Sequence, residues 1–287
     1  VTATVSDIIP GVYDIPEDLY HSDPVPGGSL SSSGARKLLP PSCPALYRWY
    51  ATRSSPPRRE FDFGHAAHQM VLGVGAELVV VEAKDWRTKA AKEQRDEAYA
   101  AGKVPLLAAE HRQVQAMAAA LRAHPIASAL LDPEKGEPEQ TLIWQDPQTG
   151  IWRRARLDWM PNPGFGRMVI ADYKTTRSAN PAAIQRAVHA YGYHQQNAWY
   201  LDGILDLGLA GPDAAFVFIF QEKIPPYLVT CVALDSAAVR AGRALNRQAI
   251  DIYRRCVETG HWPGYTDDDI PVISLPAWAE HPYEETS

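Results

Sequence analysis

Asp158, Asp172 and Lys174 are the residues whose types and spacing could do chemistry. They lie in two short apolar runs, RARLDWM at 154–160 and RMVIADYKTT at 167–176, separated by the turn-like PNPGFG. Both runs are rich in β-branched and aromatic residues and are bounded by Pro, Gly and Asn, the composition of two strands joined as a hairpin. Asp172 and Lys174 are two apart, so their side chains leave the same face of a strand. A hairpin would set Asp158 beside them at one sheet edge. Two carboxylates and an ammonium converging there offer oxygen ligands to a hard divalent cation and a cationic group for proton transfer or charge stabilisation. That arrangement suits hydrolysis of a phosphodiester. An Asp-x-Lys at a strand end is also a common solvated surface feature, so the weight falls on the elements around it.

Three of those elements carry further candidates. Gly64 and His68 form Gly-x-x-x-His on an expected helix whose Ala66, Ala67, Met70 and Val71 would pack inward; such a histidine could equally be a core residue. Glu139 begins the strand before the Asp158 strand, where an acid could reach the site or stay exposed. The tract YGYHQQNAWYLDG at 191–203 follows the Asp-Tyr-Lys strand as a helix. Its Tyr193, Gln196 and Tyr200, three and four apart, share one face.

The order of elements sets the fold class. Residues 1–30 are rich in Pro and Gly and are expected to be irregular. Short helices follow at SLSSSGARKLLP and at CPALYRWYAT, the second begun by Pro44. Helices are expected over FDFGHAAHQMVLG, 86–101 and AAEHRQVQAMAAALRAHP, with a strand at AELVVVEA among them. Then come the strand group, a long helix from Pro181, the strands AAFVFIFQE and YLVTCVAL, and a helix over 236–258. This is an α/β pattern: a central mixed sheet flanked by helices, with an N-terminal helical elaboration. No linker divides it, so one domain is expected over 31–265. Its helical part would cover about 31–130 and its core about 137–260, with an acidic tail at 266–287.

Composition narrows the class. At 46% hydrophobic and 22% charged residues, the 287-residue chain has ample core material. No apolar run approaches the roughly 20 residues needed to span a bilayer, so no membrane partner is expected and a cytoplasmic location follows by default. Cys43, Cys231 and Cys256 are far apart, which argues against a disulfide framework, an iron–sulfur cluster or a structural zinc site. The net charge of −6 speaks against a nucleic-acid partner until its distribution is read. Arg36, Lys37, Arg48, Arg53, Arg58 and Arg59 occur with no acid among them, and Arg153, Arg154 and Arg156 directly precede Asp158. From 266 onward the charge reverses, with Asp267, Asp268, Asp269, Glu280, Glu284 and Glu285 and no Lys or Arg.

Taken in order, Gly64-x-x-x-His68, Glu139, Leu157-Asp158, Asp172-Tyr173-Lys174-Thr175-Thr176 and Tyr193-x-x-Gln196-x-x-x-Tyr200 resemble the PD-(D/E)XK nuclease superfamily. The likeness is to its RecE-type exonucleases, near RecB-type nuclease domains and lambda exonuclease, and covers about Tyr20 to His261. Leu157 replaces the Pro of the superfamily name, and the four-cysteine cluster of some relatives is missing. The resemblance implies that Asp158, Asp172 and the Tyr173 carbonyl hold Mg2+, with Mn2+ an acceptable substitute. It implies His68 as a further ligand or phosphate contact, and Glu139 as a ligand acting through water. Lys174 would orient or activate the attacking water and stabilise the developing negative charge, and Gln196 and Tyr200 would position that water, Lys174 or a phosphate. DNA would lie on Arg36, Lys37, Arg58, Arg59, Arg153, Arg154, Arg156 and Tyr193. The resemblance further implies a ring-forming exonuclease that degrades the 5′-ended strand of linear duplex DNA. Its 3′ tails would pass to a RecT-like single-strand annealing protein. The rivals are a RecB-like nuclease serving a separate helicase, since the chain has no P-loop, and a catalytically inactive DNA-binding module of the same fold.

Overall fold

A computed structural model describes residues 8–53, 59–164, 166–267, 269–276 and 279. The chain enters through β1 (Gly11–Tyr13), α1 (Glu17–His21) and β2 (Leu30–Ser31). The segment expected to be irregular is therefore built into the sheet, β1 against one strand and β2 against another. Helix α2 (Ser32–Lys37) starts where the Ser31 hydroxyl accepts the Gly34 amide, and α3 (Pro44–Ala51) starts with proline at its first position. Helix α4 (Arg59–Leu72) ends before Gly73, whose φ of 79° suits a residue without a side chain. A two-stranded parallel sheet of β3 (Leu78–Val81) and β4 (Val104–Leu107) brackets α5 (Lys89–Ala100). Strand β4 was not expected: it is four residues long and contains Pro105. Helices α6 (Ala108–Ala123) and α7 (Pro125–Leu130) lead into the main sheet.

That sheet is formed by β5 (Gly136–Gln145), β6 (Trp152–Pro161), β7 (Val169–Thr176), β8 (Ala215–Glu222) and β9 (Val229–Ala233), with β1 and β2 added. The order is β1-β5-β6-β7-β8-β9, with β2 beside β6, and the sheet is mixed because β7 and β8 run parallel while their neighbours are antiparallel. Between β7 and β8 the chain forms α8 (Pro181–Ala190) and α9 (Tyr193–Asp206). These are two helices where one was expected, broken at Gly192 with φ 67°. Helix α10 (Ser236–Thr259) follows β9. Among the described residues no helix is long and apolar enough to cross a membrane.

Helices cover both faces of the main sheet. Trp144, Leu157, Phe218 and Phe220 of the sheet pack with Trp199 and Ile204 of α9 and Ile250 of α10. Trp159, Tyr173 and Ile219 pack with Ala66 and Ala67 of α4 and with Val114 and Met117 of α6. Helix α10 lies so close to α9 that a side chain at Gly242 would strike the His194 carbonyl.

Strand β6 alternates strictly between buried odd and half-buried even positions from Trp152 to Asp158. This sends Arg153 to the face opposite Arg154, Arg156 and Asp158. Arg153 is 3% exposed, and its guanidinium lies 4.7 Å from the Trp144 ring and 4.1 Å from the Trp199 ring. It pairs with Asp146 at 3.7 Å, Asp202 at 3.8 Å and Asp206 at 3.7 Å. The expectation that Arg153 binds DNA is thereby corrected: it is a core cation with its own carboxylates. The acidic tail has no helix or strand and is exposed over 269–276, while Asp268, 277–278 and 280–287 lie outside the described residues.

Arg153→Ala is expected to lower unfolding stability by about 3–5 kcal/mol in a urea titration, because it removes the buried cation shared by Asp146, Asp202 and Asp206 and leaves a gap between two indole rings. Gly242→Ala should cost about 1–3 kcal/mol in the same assay through overpacking of α9 against α10.

Candidate active site

Strands β6 and β7 are bridged by a single residue pair, Trp159 with Ala171. Beyond it they diverge, and β2 takes up the edge of β6 at Arg153 and Arg154. Asp158, Asp172 and Lys174 line the opening. They sit within the sheet, not at its edge as the hairpin alone suggested, because β8 continues the sheet beyond β7. The opening lets side chains from both layers of helices meet: His68 enters from α4 and Gln196 from α9.

The Asp158 carboxylate accepts the Tyr173 amide at 2.8 Å, and His68 Nδ1 lies 3.7 Å from the same oxygen. Asp172 accepts from Gln196 Nε2 at 2.7 Å through one oxygen and pairs with the Lys174 ammonium through the other. Tyr200 is buried and hydrogen-bonded to Gln196, so it buttresses Asp172 at one remove. The Lys174 ammonium lies 5.7 Å from the Tyr193 ring centroid. Glu139 pairs with Arg156, whose guanidinium also donates to the Ile15 carbonyl at 2.7 Å. Glu139 has a φ of 57°, an uncommon left-handed conformation for a residue in mid-strand and one often found at functional sites.

Burial dominates the electrostatics. It raises Glu139 to about 7, helped by the charge on Asp158, and raises Asp172 to about 6, again with Asp158 contributing. Asp158 is raised as well, chiefly by burial. Burial works against the Lys174 charge, but Asp172 and Asp158 outweigh it and hold the ammonium protonated. Burial, then the Lys174 charge, lowers His68 to about 4, which leaves a neutral imidazole at physiological pH. His68, Glu139 and Asp158 present ligand atoms that all lie within 4.8 Å of one another. Two carboxylates and a neutral imidazole suit a divalent cation such as Mg2+ or Mn2+. The crowding that raises the carboxylates is what such a charge would relieve, so these residues fit a metal.

The site opens into a cavity of about 400 Å³. His68, Glu139, Arg156, Asp158, Lys174, Tyr193, Gln196, Tyr200 and Arg36 line it. The other basic residues expected at DNA do not all reach it. Arg154 is held by Asp23 at 2.8 Å and by Ser29, and Arg156 is occupied by Glu139. The run of three arginines is thus not an open phosphate-binding surface, because the N-terminal segment folds over two of them and strand alternation buries the third. Lys37 lies on α2. Arg58 and the side chain of Arg59 lie outside the described residues. Glu17, Tyr20, His21, His65 and Tyr191 also line the cavity and had no sequence signal. The first three belong to the segment whose composition suggested irregular chain.

The sequence matches a family model described as "PDDEXK-like domain of unknown function (DUF3799)" over residues 45–269. The structure is similar to that of a "Putative exonuclease" from Eubacterium rectale, with a TM-score of 0.60 and 11% identity. That match covers 94% of this chain and 98% of the other, and at such identity it speaks for the fold alone. A second structure, named SSO0001, matches 67% of this chain and 85% of its own at 18% identity, but its TM-score of 0.29 carries no argument. No curated protein matches the sequence. Since the family match takes in the whole sheet from β5 to β9, and with it the Asp-x-Lys strand, the chain belongs to this PDDEXK-like family of the PD-(D/E)XK nuclease superfamily.

Proposed function

We propose that the protein is a divalent-metal-dependent deoxyribonuclease, specifically a RecE-like exonuclease on linear duplex DNA. The observation that carries this reading is the meeting of Asp158 and Lys174 with His68 and Glu139 in one cavity where β6 and β7 diverge, with Asp172 buried behind Lys174 and paired to it. The cavity is walled on one side by Glu17, Tyr20 and His21 of the N-terminal segment, which favours a strand end over an uninterrupted duplex. On the same reading the 5′-ended strand is degraded, the 3′ tail passes to a RecT-like annealing protein, and copies of the chain assemble as a ring.

His68, Glu139 and Asp158 would hold the metal, with Asp172 and the Tyr173 backbone beside them. The bound cation would activate water near neutral pH and offset the charge of the scissile phosphate. Lys174, kept protonated, supports the negative charge that develops on the phosphate and is not a general base. Asp172 fixes the direction of Lys174, and Gln196 fixes Asp172. His68 stays neutral and so keeps a ring nitrogen available.

Incubation with linear and circular duplex DNA and Mg2+ tests the proposal. Digestion of the linear form alone supports it; nicking of the circle would assign an endonuclease, and digestion of neither a binding module. End-labelled duplexes should lose the 5′ label first. Asp172→Ala or Lys174→Ala should lower kcat/KM by on the order of a thousandfold or more, with circular dichroism unchanged. Mn2+ at a hundred times its Kd should stabilise the wild-type protein by about 2.7 kcal/mol in thermal unfolding. His68→Ala or Glu139→Gln should remove most of that gain.

A further inference from the structure

We propose that the outer face of α3, together with Lys37, is a binding track for single-stranded DNA that runs up to the cavity. This rests on the nuclease reading above and names what lies outside the cavity on that reading. Helix α3 packs inward through Tyr47, whose ring stacks on Trp262 at 5.7 Å and meets Tyr253 edge-on. Two other aromatic residues of α3 point away from the core: Trp49 is 55% exposed and Tyr50 54%. Both rings carry cations. The Arg53 guanidinium lies 3.1 Å from the Trp49 centroid, and the Lys37 ammonium 5.7 Å from that of Tyr50. No acidic residue occurs between Asp23 and Glu60.

Helix α2 links the patch to the cavity. Lys37 follows Arg36 on α2, and Arg36 lines the cavity and donates to the Tyr191 carbonyl. Tyr191, 59% exposed, also lines the cavity, with its ring 5.7 Å from that of Tyr193. The series from inside outward is Lys174 with Tyr193, then Tyr191, Arg36, Lys37, Tyr50, and Trp49 with Arg53. Cations interspersed with the exposed rings of Tyr191, Tyr50 and Trp49 fit an unpaired strand, because phosphates meet the cations while splayed bases stack on the rings. A blunt duplex keeps its bases stacked on one another and gains nothing from the rings. The occupant is therefore a single-stranded segment contiguous with the strand end in the cavity.

The test uses the full chain in EDTA, with fluorescein-labelled oligothymidylate and a blunt duplex as probes in anisotropy titrations. Trp49→Ala with Tyr50→Ala should weaken oligothymidylate binding by about tenfold or more. Duplex affinity should hold within about threefold, and the salt dependence of single-strand binding should not change, because no charge is lost. Lys37→Ala should instead reduce the slope of log affinity against log salt by about 0.7. Trp49→Phe with Tyr50→Phe should retain most of the binding. Hydrolysis of bis(p-nitrophenyl) phosphate with Mn2+, which engages only the cavity, should be the same in the alanine variant and the wild type. Unchanged oligothymidylate affinity in that variant, or an equal loss for duplex, overturns the track. So does loss of an oligomer in sedimentation with DNA affinity intact, which would assign the patch to a second copy. A wild-type protein that hydrolyses neither the ester nor linear DNA would sink the nuclease reading, while the oligothymidylate titration would still decide the track.

Discussion

Two neighbouring strands that touch at one residue pair and then part create the space on which the rest of this structure depends. An ordinary antiparallel pairing of β6 and β7 would seal the sheet and leave the helical layers isolated from each other. Their divergence after Trp159 and Ala171 puts His68 of α4 and Gln196 of α9 within reach of the same carboxylates. Two backbone groups along the parting find side-chain partners. The Tyr173 amide is taken by Asp158, and the Arg154 carbonyl accepts the Trp199 indole at 3.0 Å. Buried backbone groups need such partners, so the opening is itself part of the hydrogen-bonded fold.

Burial then sets the chemistry. Withdrawal from water raises Glu139, Asp158 and Asp172, and the charge on Asp158 adds to the rise at Glu139 and Asp172. Lys174 compensates part of that charge from within the chain, and the Arg156 guanidinium does the same for Glu139. A strained backbone at Glu139 costs on the order of 1–3 kcal/mol and persists because neighbouring strands hold it. It points the third carboxylate into the space that His68 and Asp158 share.

The arginines illustrate how one residue type serves separate ends. Arg153 holds β6 to α9 through two indole rings and three carboxylates. Arg154 and Arg156 anchor the N-terminal segment that walls the cavity, through Asp23 and the Ile15 carbonyl. Lys37 on α2 and Arg53 just after α3 are cations that lie beside exposed aromatic rings. The net charge of −6 is compatible with a DNA substrate because charge acts locally, within roughly a Debye length of 8–10 Å.

Strand periodicity, turn residues and helix caps are local, so the alternating runs around Asp158 and Asp172, the capping Ser31 and the proline starts of α3 and α8 were legible in the chain. The two-residue spacing of Asp172 and Lys174 and the order of the motifs carried the mixed α/β architecture and the superfamily resemblance. Other features needed the folded molecule. The parting of β6 from β7 is fixed by what packs between them, not by either strand alone. Composition marked residues 1–30 as irregular, yet pairing with β5 and β6 orders much of that segment and places Glu17, Tyr20 and His21 in the cavity. Three arginines in four positions read as one basic patch; alternation and a distant Asp23 divide them between core and wall. Local sequence thus determined which elements form and which chemistry they carry. Tertiary structure decided which charges stay available, because that depends on contacts between residues far apart along the chain.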